Sequence, residues 1–194
     1  MNTPVTKELL DSITFDDIIV ATGAIPRVLS NIPGIEDIEI INAKDALLGK
    51  KEIGQNVVVI GGGLTGIEMT YDMVLSGKHV EVIEMKDKIL GMDIVCAANG
   101  QMLQQIIKYY KIPVHLGAFV DKFEKGRVFY TQNGEQKSIS CDTIISSVGY
   151  ISDTKLYDEI KEKYGDKVHL IGDSKQVSNL LNATWSAAEL IQKL

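Results

Sequence analysis

The hydrophobic and polar positions of residues 56–84 predict a strand, a helix and a second strand in close succession. Val57–Ile60 form an uninterrupted β-branched run, which is typical of a parallel strand covered on both faces. The apolar positions within 67–75 then recur at helical spacing, and Gly77 follows where a left-handed helix end is expected. His79–Ile83 is apolar again. The pattern therefore predicts a βαβ unit.

Other segments of the chain predict further parallel α/β structure. Strands are predicted at 17–20, 113–116, 142–148 and 168–171, and helices at 42–48, 93–110, 154–164 and from about 179. Asp93 is the predicted N-cap of the second of these helices. Together with the βαβ unit, these elements indicate an α/β, Rossmann-like fold with a central parallel sheet.

Residues 118–140 have a different pattern, with short alternating segments separated by turns. Asn133-Gly134 between two alternating segments is a strong hairpin signal. The segment therefore predicts a three-stranded antiparallel β-meander, with strands at 118–124, 127–132 and 136–140, within the parallel α/β domain.

The composition indicates a globular protein and argues against a nucleic-acid partner. The 194 residues are 45% hydrophobic, and the formal net charge is −6 without a basic cluster. A phosphate-backbone partner normally requires a concentrated basic face. No apolar run approaches the roughly 20 residues that span a bilayer, and the N-terminus lacks signal-peptide features. We expect no membrane partner and a cytoplasmic location.

The two cysteines, Cys96 and Cys141, are far apart and form no CxxC pair. This spacing suggests neither a disulfide framework nor a metal or iron–sulfur ligand set. We expect both to be buried free thiols, and we predict no metal site.

A glycine-rich turn joins the first strand of the βαβ unit to its helix. In Gly61-x-Gly63-x-x-Gly66, the first glycine allows a tight turn, the second a close approach by pyrophosphate, and the third close helix–strand packing. The free N–H groups at the helix start would face the phosphates. The predicted phosphate-binding residues are Gly61, Gly62, Gly63, Leu64, Thr65 and Gly66.

Glu84 ends the second strand, 23 residues after Gly61. A carboxylate at this distance can accept hydrogen bonds from the hydroxyls of the adenosine ribose, which favours NAD over NADP. Lys86 and Lys88 could in principle bind a 2′-phosphate. However, Glu84 would repel that group, and lysines in a turn are usually solvated.

Four motifs resemble, in their order, the C-terminal half of two-dinucleotide flavoprotein reductases. They are DIIVATGAIPR, VVVIGGGLTGIE with Glu84, DTIISSVGY, and HLIGDSKQ followed by NATWSAAELI. The chain is most similar to the bacterial NADH:flavin oxidoreductase group, which includes NADH oxidase, 2-enoate reductase and 2,4-dienoyl-CoA reductase relatives. This resemblance covers essentially the whole chain.

The resemblance implies that an NAD(H)-binding domain, residues 25–148, is inserted into an FAD-binding domain represented by 1–24 and 149–194. Its interdomain turns fall on Ala21-Thr22-Gly23 and on Gly149, and the Gly-Asp pair whose carboxylate binds the FAD ribityl chain falls on Gly172-Asp173. It also places Glu68 near the nicotinamide. From the residues alone, the favoured interpretation of Gly172-Asp173 is a common turn, and that of Glu68 is an acid that complements the positive helix end.

The family's first GxGxxG motif, its flavin-bearing barrel with FMN, and its iron–sulfur cysteines have no counterpart in this sequence. The resemblance therefore implies a fragment that does not turn over substrate alone and whose partners include the missing FAD and barrel domains. We expect it to present NADH for hydride transfer to FAD, with no catalytic residue of its own. Two alternatives stay open: a structural or regulatory ADP/NAD-binding module, and a fragment of a pyridine nucleotide-disulfide reductase, which an upstream CxxxxC would support.

Overall fold

The computed structural model describes residues 3–91 and 96–194. The chain forms two compact units. We call Pro26–Gly149 the central unit, and Met1–Ile25 with Tyr150–Leu194 the terminal unit. The predicted helix N-cap Asp93 lies outside the described residues. None of the helices in the described ranges is long and apolar enough to cross a membrane.

Twelve strands and six α-helices, with three short 3-10 helices, are found in the described residues. The strands are β1 (Ile18–Val20), β2 (Ala24–Pro26), β3 (Ile40–Asn42), β4 (Asn56–Ile60), β5 (His79–Glu84), β6 (Val114–Leu116), β7 (Ala118–Glu124), β8 (Arg127–Gln132), β9 (Glu135–Ser140), β10 (Thr143–Ser146), β11 (Tyr150–Ser152) and β12 (Val168–Leu170). The helices are α1 (Lys7–Asp11), α2 (Ala43–Leu47), α3 (Leu64–Leu75), α4 (Ala97–Tyr109), α5 (Lys155–Tyr164) and α6 (Leu180–Ile191).

The central unit is built on a parallel sheet with the strand order β3-β10-β4-β5-β6. Its middle strand β4 has four consecutive buried residues, Val57–Ile60, because apolar side chains cover both faces of the sheet. Val57 and Val59 pack in the core cluster that includes Ile67 and Met69 of α3. The predicted βαβ unit and parallel sheet are confirmed.

The second face of the sheet packs against the antiparallel meander β7-β8-β9. Asn133 and Gly134 both have positive φ, 54° and 79°, as the first-choice two-residue hairpin turn requires. Val58 and Ile60 share a buried cluster with Phe123 and other meander residues. The predicted fold, a Rossmann-like α/β domain with a meander crossover, is confirmed.

The terminal unit contains two small two-stranded sheets, a parallel pair of β1 with β12 and a pair of β11 with β2. Its buried cluster consists of Leu10, Val20, Ile160 and Val168. Helix α1 and strands β2 and β11 were not predicted from the sequence. Each is three to five residues long, which is too short to show a helical or alternating hydrophobic pattern.

Candidate dinucleotide site

The turn between β4 and α3 requires glycine at two of its three motif positions for steric reasons. Gly61 has φ 107°, and a Cβ there would lie 2.3 Å from the carbonyl oxygen of Ser147. A Cβ on Gly66 would lie 2.0 Å from the carbonyl oxygen of Gly61. Both distances are far below van der Waals contact. These two glycines therefore allow the turn to pack against β10 and the helix to pack against the turn.

Gly63 differs from its two neighbours in the motif. A Cβ on Gly63 would meet no atom within 4 Å, and its φ of −70° suits any residue. It is the N-cap of α3, and no side chain in the described residues caps this helix end. The N–H groups of Leu64 and Thr65 therefore remain free for an anion, beside an open space that a larger residue would partly fill.

Glu84 lies at the carboxyl end of β5 with only 7% of its surface exposed. Its Oε2 accepts a hydrogen bond from the Gly62 N–H at 2.5 Å, and its Oε1 accepts one from the Lys86 N–H at 2.8 Å. These two donors fix the carboxylate against the glycine turn. Since a carboxylate can accept about four hydrogen bonds, two positions remain for donors such as ribose hydroxyls.

This edge of the sheet fits a dinucleotide. It combines free N–H groups and an open space at the start of α3 with a fixed carboxylate at the end of the neighbouring strand. The first group of donors suits a pyrophosphate, and the carboxylate suits a vicinal diol. The predicted residues Gly61, Gly62, Gly63, Leu64, Thr65, Gly66 and Glu84 come together here, and their role in binding stays a prediction.

The segment that covers the turn was not predicted from the sequence. The Leu90 N–H donates to the Gly62 carbonyl oxygen at 2.8 Å, and Leu90 is buried although its φ is positive, 56°. A Cβ on Gly62 would lie 3.0 Å from Cγ2 of Ile89. The side chains of Lys86 and Lys88 are exposed. No hydrophobic pattern in MKDKIL indicates these contacts, because they depend on how the segment folds back.

The two other predicted residues of the central unit, Glu68 and Gly149, are not part of the glycine turn itself. Glu68 is exposed on the second turn of α3, where its Oε1 accepts a hydrogen bond from Asn99 Nδ2 at 3.5 Å. Gly149 has φ 93°, and its carbonyl oxygen accepts from the Arg27 N–H at 2.9 Å. Their role near the nicotinamide stays a prediction.

The remaining predicted site residues belong to the terminal unit. Thr22 Oγ1 donates to the Asp153 carbonyl oxygen, and the Gly23 carbonyl oxygen accepts from the Asp153 N–H at 2.9 Å. The Gly172 N–H donates to Ser186 Oγ at 2.8 Å, and Asp173 Oδ1 accepts from the Ser178 N–H at 3.1 Å. The Asp173 carboxylate therefore already accepts one hydrogen bond from the backbone that follows it, which is what a structural role would require. Its role in binding FAD stays a prediction.

The two thiols are in different environments. Cys141 is buried, and burial raises its pKa to about 11, with a smaller contribution from the charge of Asp142. Cys96 is exposed, so the expectation of two buried thiols is wrong for this residue. It is the N-cap residue directly before α4. In the part of the chain that the structure describes, no three His, Cys, Asp or Glu residues are grouped to bind a metal.

The chain matches a known protein family over most of its length. Residues 3–180 match the family described as pyridine nucleotide-disulphide oxidoreductase. The chain belongs to this family. The fold is therefore one that works with a pyridine nucleotide and FAD, the two cofactors that the sequence resemblance implies.

Individual relatives narrow the group. The chain is 35% identical to cinnamate reductase of Clostridium sporogenes over 196 residues, which is all of this chain and 29% of that protein. It is 32% identical to dihydrolipoyl dehydrogenase of Mycoplasma genitalium over 164 residues, 81% of this chain and 35% of that protein. The resemblance to the group that contains the enoate reductases is confirmed. The chain spans about a third of the length of these relatives.

A solved structure shows the same arrangement. The complex of 2-naphthoyl-CoA reductase with 2-naphthoyl-CoA matches with a TM-score of 0.87 at 25% identity, over all of this chain and 29% of that one. Cinnamate reductase and dihydrolipoyl dehydrogenase, the two relatives named above, are both oxidoreductases.

Proposed function

We propose that the central unit binds NADH at the edge formed by the glycine turn and Glu84, and presents it for hydride transfer to FAD. The observation that carries this proposal is the buried Glu84 carboxylate, held by the N–H groups of Gly62 and Lys86 next to the open start of α3. The nicotinamide and the flavin supply the redox chemistry, and the protein supplies binding and alignment.

The same carboxylate sets the preference between the two pyridine nucleotides. Two ribose hydroxyls can donate to the acceptor positions of the Glu84 carboxylate that the Gly62 and Lys86 N–H groups do not use, which favours NADH. The 2′-phosphate of NADPH would instead be placed against a buried negative charge, which is strongly unfavourable in a region of low dielectric constant. The exposed Lys86 and Lys88 side chains offer only screened charges in compensation.

The direct test is a calorimetric titration of the purified chain with NADH and NADPH, repeated with Glu84→Ser. We expect the unmodified chain to prefer NADH, and we expect the variant to lose about tenfold to a hundredfold in NADH affinity, since a hydrogen bond to a charged group contributes roughly 1.5–3 kcal/mol. The affinity of the variant for NADPH should rise or stay constant, so that its preference for NADH over NADPH becomes smaller.

The matched control is Asp87→Ser, which removes a carboxylate from the exposed turn three residues later. It should leave both affinities unchanged, because its charge is screened by solvent. If Glu84→Ser behaved like the control, the assignment of Glu84 to the ribose would be wrong.

We further propose that the terminal unit belongs to an FAD module, with Thr22, Gly23, Gly172 and Asp173 on its cofactor side, and that Glu68 and Gly149 lie toward the nicotinamide. The order of motifs and the match to the family over residues 3–180 support this reading. On this proposal the chain alone binds FAD weakly and does not oxidise NADH. Sustained NADH oxidation by the chain with added FAD, followed by absorbance, would contradict it.

A second candidate is the corresponding portion of a disulfide reductase. The 32% identity to dihydrolipoyl dehydrogenase favours it, as does the description of the family. The 35% identity to cinnamate reductase, which extends over all of this chain, favours the first proposal. A CxxxxC motif upstream in the full-length protein, together with disulfide reduction by that protein, would establish the second candidate instead.

A further inference from the structure

Ser146, the last residue of β10, has a hydroxyl group without a partner. The residue is 8% exposed, and its Oγ is the one buried side-chain polar atom without a hydrogen bond among residues 3–91 and 96–194. A buried hydroxyl that is left without a hydrogen bond destabilises the folded state. Buried polar groups in folded proteins almost always have a hydrogen-bond partner, so this exception requires an explanation. One explanation is that the partner is an atom of a bound ligand.

The strand register places Ser146 at the carboxyl edge of the sheet, beside the candidate dinucleotide site. Ser146 pairs with Ile60, the residue directly before Gly61, and on its other side with Asn42 at the end of β3. The Ser147 N–H donates to the Ile60 carbonyl oxygen at 2.8 Å. The hydroxyl therefore belongs to the strand next to the glycine turn, at the same end of the strands.

The topology of the parallel sheet indicates which half of a dinucleotide would reach β10. Strands β5 and β6 follow β4 on one side, while β10 lies on its other side, so the direction of the strand order reverses between β4 and β10. Ligands of open α/β sheets bind across such a switch point. With the adenosine ribose at Glu84 over β5 and the pyrophosphate at Gly63 over β4, the second nucleoside extends over β10.

A cavity of about 360 Å³ opens at this position. Its apolar lining includes Leu29, Ile35, Ile38 and Ile40, and its polar lining is Arg27, Asn42 and Ser146. Asn42 already caps α2, with its Oδ1 accepting from the Asp45 N–H at 2.9 Å and its Nδ2 donating to Asp45 Oδ2 at 2.5 Å. Ser146 is thus the lining side chain that is both buried and still without a partner in the described residues.

We infer that Ser146 is a binding residue for the nicotinamide end of the cofactor: its hydroxyl donates a hydrogen bond to the carboxamide oxygen, with the carboxamide edge of the ring turned into this cavity. The hydroxyl reaches the ligand by moving between staggered rotamers, which costs little for a serine side chain. The inference rests on the proposed binding of NADH and adds a residue to that site.

The test compares two ligands that differ in the nicotinamide alone. NADH and ADP-ribose share the adenosine and pyrophosphate portions, so the ratio of their dissociation constants isolates the nicotinamide contacts. Both are titrated by calorimetry into the unmodified chain, Ser146→Ala and the control Ser138→Ala, whose hydroxyl is exposed on β9. Thermal unfolding of each variant is recorded alongside.

We expect Ser146→Ala to weaken NADH binding about threefold to tenfold, the value of one neutral hydrogen bond, and to leave ADP-ribose binding unchanged. Ser138→Ala should change neither. The unfolding temperature of Ser146→Ala should stay the same or rise, because the variant removes an unpaired buried hydroxyl. Ser146→Cys, which is nearly isosteric and a weak donor, should show the same loss to a smaller degree and serves if the alanine variant does not fold.

Unchanged NADH affinity in Ser146→Ala and Ser146→Cys, or equal losses of NADH and ADP-ribose affinity, would overturn the inference while leaving the proposed function intact. Binding of neither ligand by the unmodified chain would overturn the proposed function itself, and this inference with it.

Discussion

The central unit packs its strands between two extensive core clusters, whereas helix α6 of the terminal unit has no buried residue in the described part of the chain. Leu180 is 81% exposed and Trp185 is 59% exposed. The buried cluster of the terminal unit has four members. The central unit therefore provides most of its own hydrophobic stabilisation, while α6 presents apolar surface of the kind that another part of a protein covers.

The same difference appears in the two glycine-containing turns. Around Gly61 and Gly66, backbone atoms approach so closely that no side chain fits. In the turn at Gly172, the closest atom to an added Cβ is Ala183 Cβ at 3.7 Å, an ordinary contact. The first turn is constrained by packing against its own sheet. The second is constrained mainly by its positive φ of 58°. A precise binding site is more easily built on the first kind of turn.

The largest expected effect comes from truncating apolar side chains in the two units. Ile145 is fully buried in the central sheet, and Ile145→Ala should lower the free energy of unfolding by about 2–5 kcal/mol. Leu180→Ala, at the exposed start of α6, should change it by less than about 0.5 kcal/mol. Chemical denaturation measures both. Similar losses of unfolding free energy in the two variants would mean that α6 is covered in solution. The proposed difference in burial between the two units would then be wrong.

The next effect separates two glycines within one turn. Gly66→Ala places a methyl group against the Gly61 carbonyl oxygen and should destabilise the protein by about 1–3 kcal/mol. Gly63→Ala meets no neighbour within 4 Å. Its unfolding free energy should stay nearly constant, while NADH affinity should fall about tenfold because the methyl group occupies the space next to the phosphates. A stable Gly63→Ala chain with unchanged NADH affinity would remove Gly63 from the site.

The smallest expected effect concerns the pH dependence of the central unit, which contains both cysteines. Because burial raises the pKa of Cys141 to about 11 in the folded chain, the unfolded chain releases this proton first as the pH rises. Stability should therefore fall between about pH 9 and pH 11, with less than about 1 kcal/mol lost by pH 9.5.

The control for this pH effect is Cys141→Ala, which should lack this part of the pH slope while keeping the part that arises from other groups. Denaturant unfolding at several pH values measures both chains. In the folded protein at neutral pH, alkylation should modify the exposed Cys96 and leave Cys141 largely protected. Equal slopes in the two chains, or rapid labelling of Cys141, would contradict the environment assigned to this thiol.

Much of the central unit could be predicted because its signals are local and long. The β-branched run of β4, the glycine spacing and the Asn133-Gly134 turn each specify their structure within a few residues. Strands β2 and β11 were missed because three residues carry no readable period. The hydrogen bonds from Gly62 and Lys86 to Glu84 could not be predicted either. They depend on the distance between two segments in space, and Glu84 alone shows only that a carboxylate is there.

The Ser146 hydroxyl illustrates the same limit at the candidate site. In the sequence it is one of two serines before Val148 and Gly149, and nothing distinguishes it from an exposed polar residue. Only the parallel pairing with β3 and β4, together with burial, shows that its hydroxyl is enclosed without a partner.

An amide ¹⁵N–¹H NMR titration of the whole chain with NADH would locate the NADH site directly. We expect the largest shifts at Gly62, Gly63, Leu64, Thr65 and Lys86, whose N–H groups line the turn or hold Glu84. Amides around Gly172 in the terminal unit should shift little. Shifts concentrated in the terminal unit, or none at the glycine turn under saturating NADH, would contradict the claim that this edge of the central sheet is the NADH site.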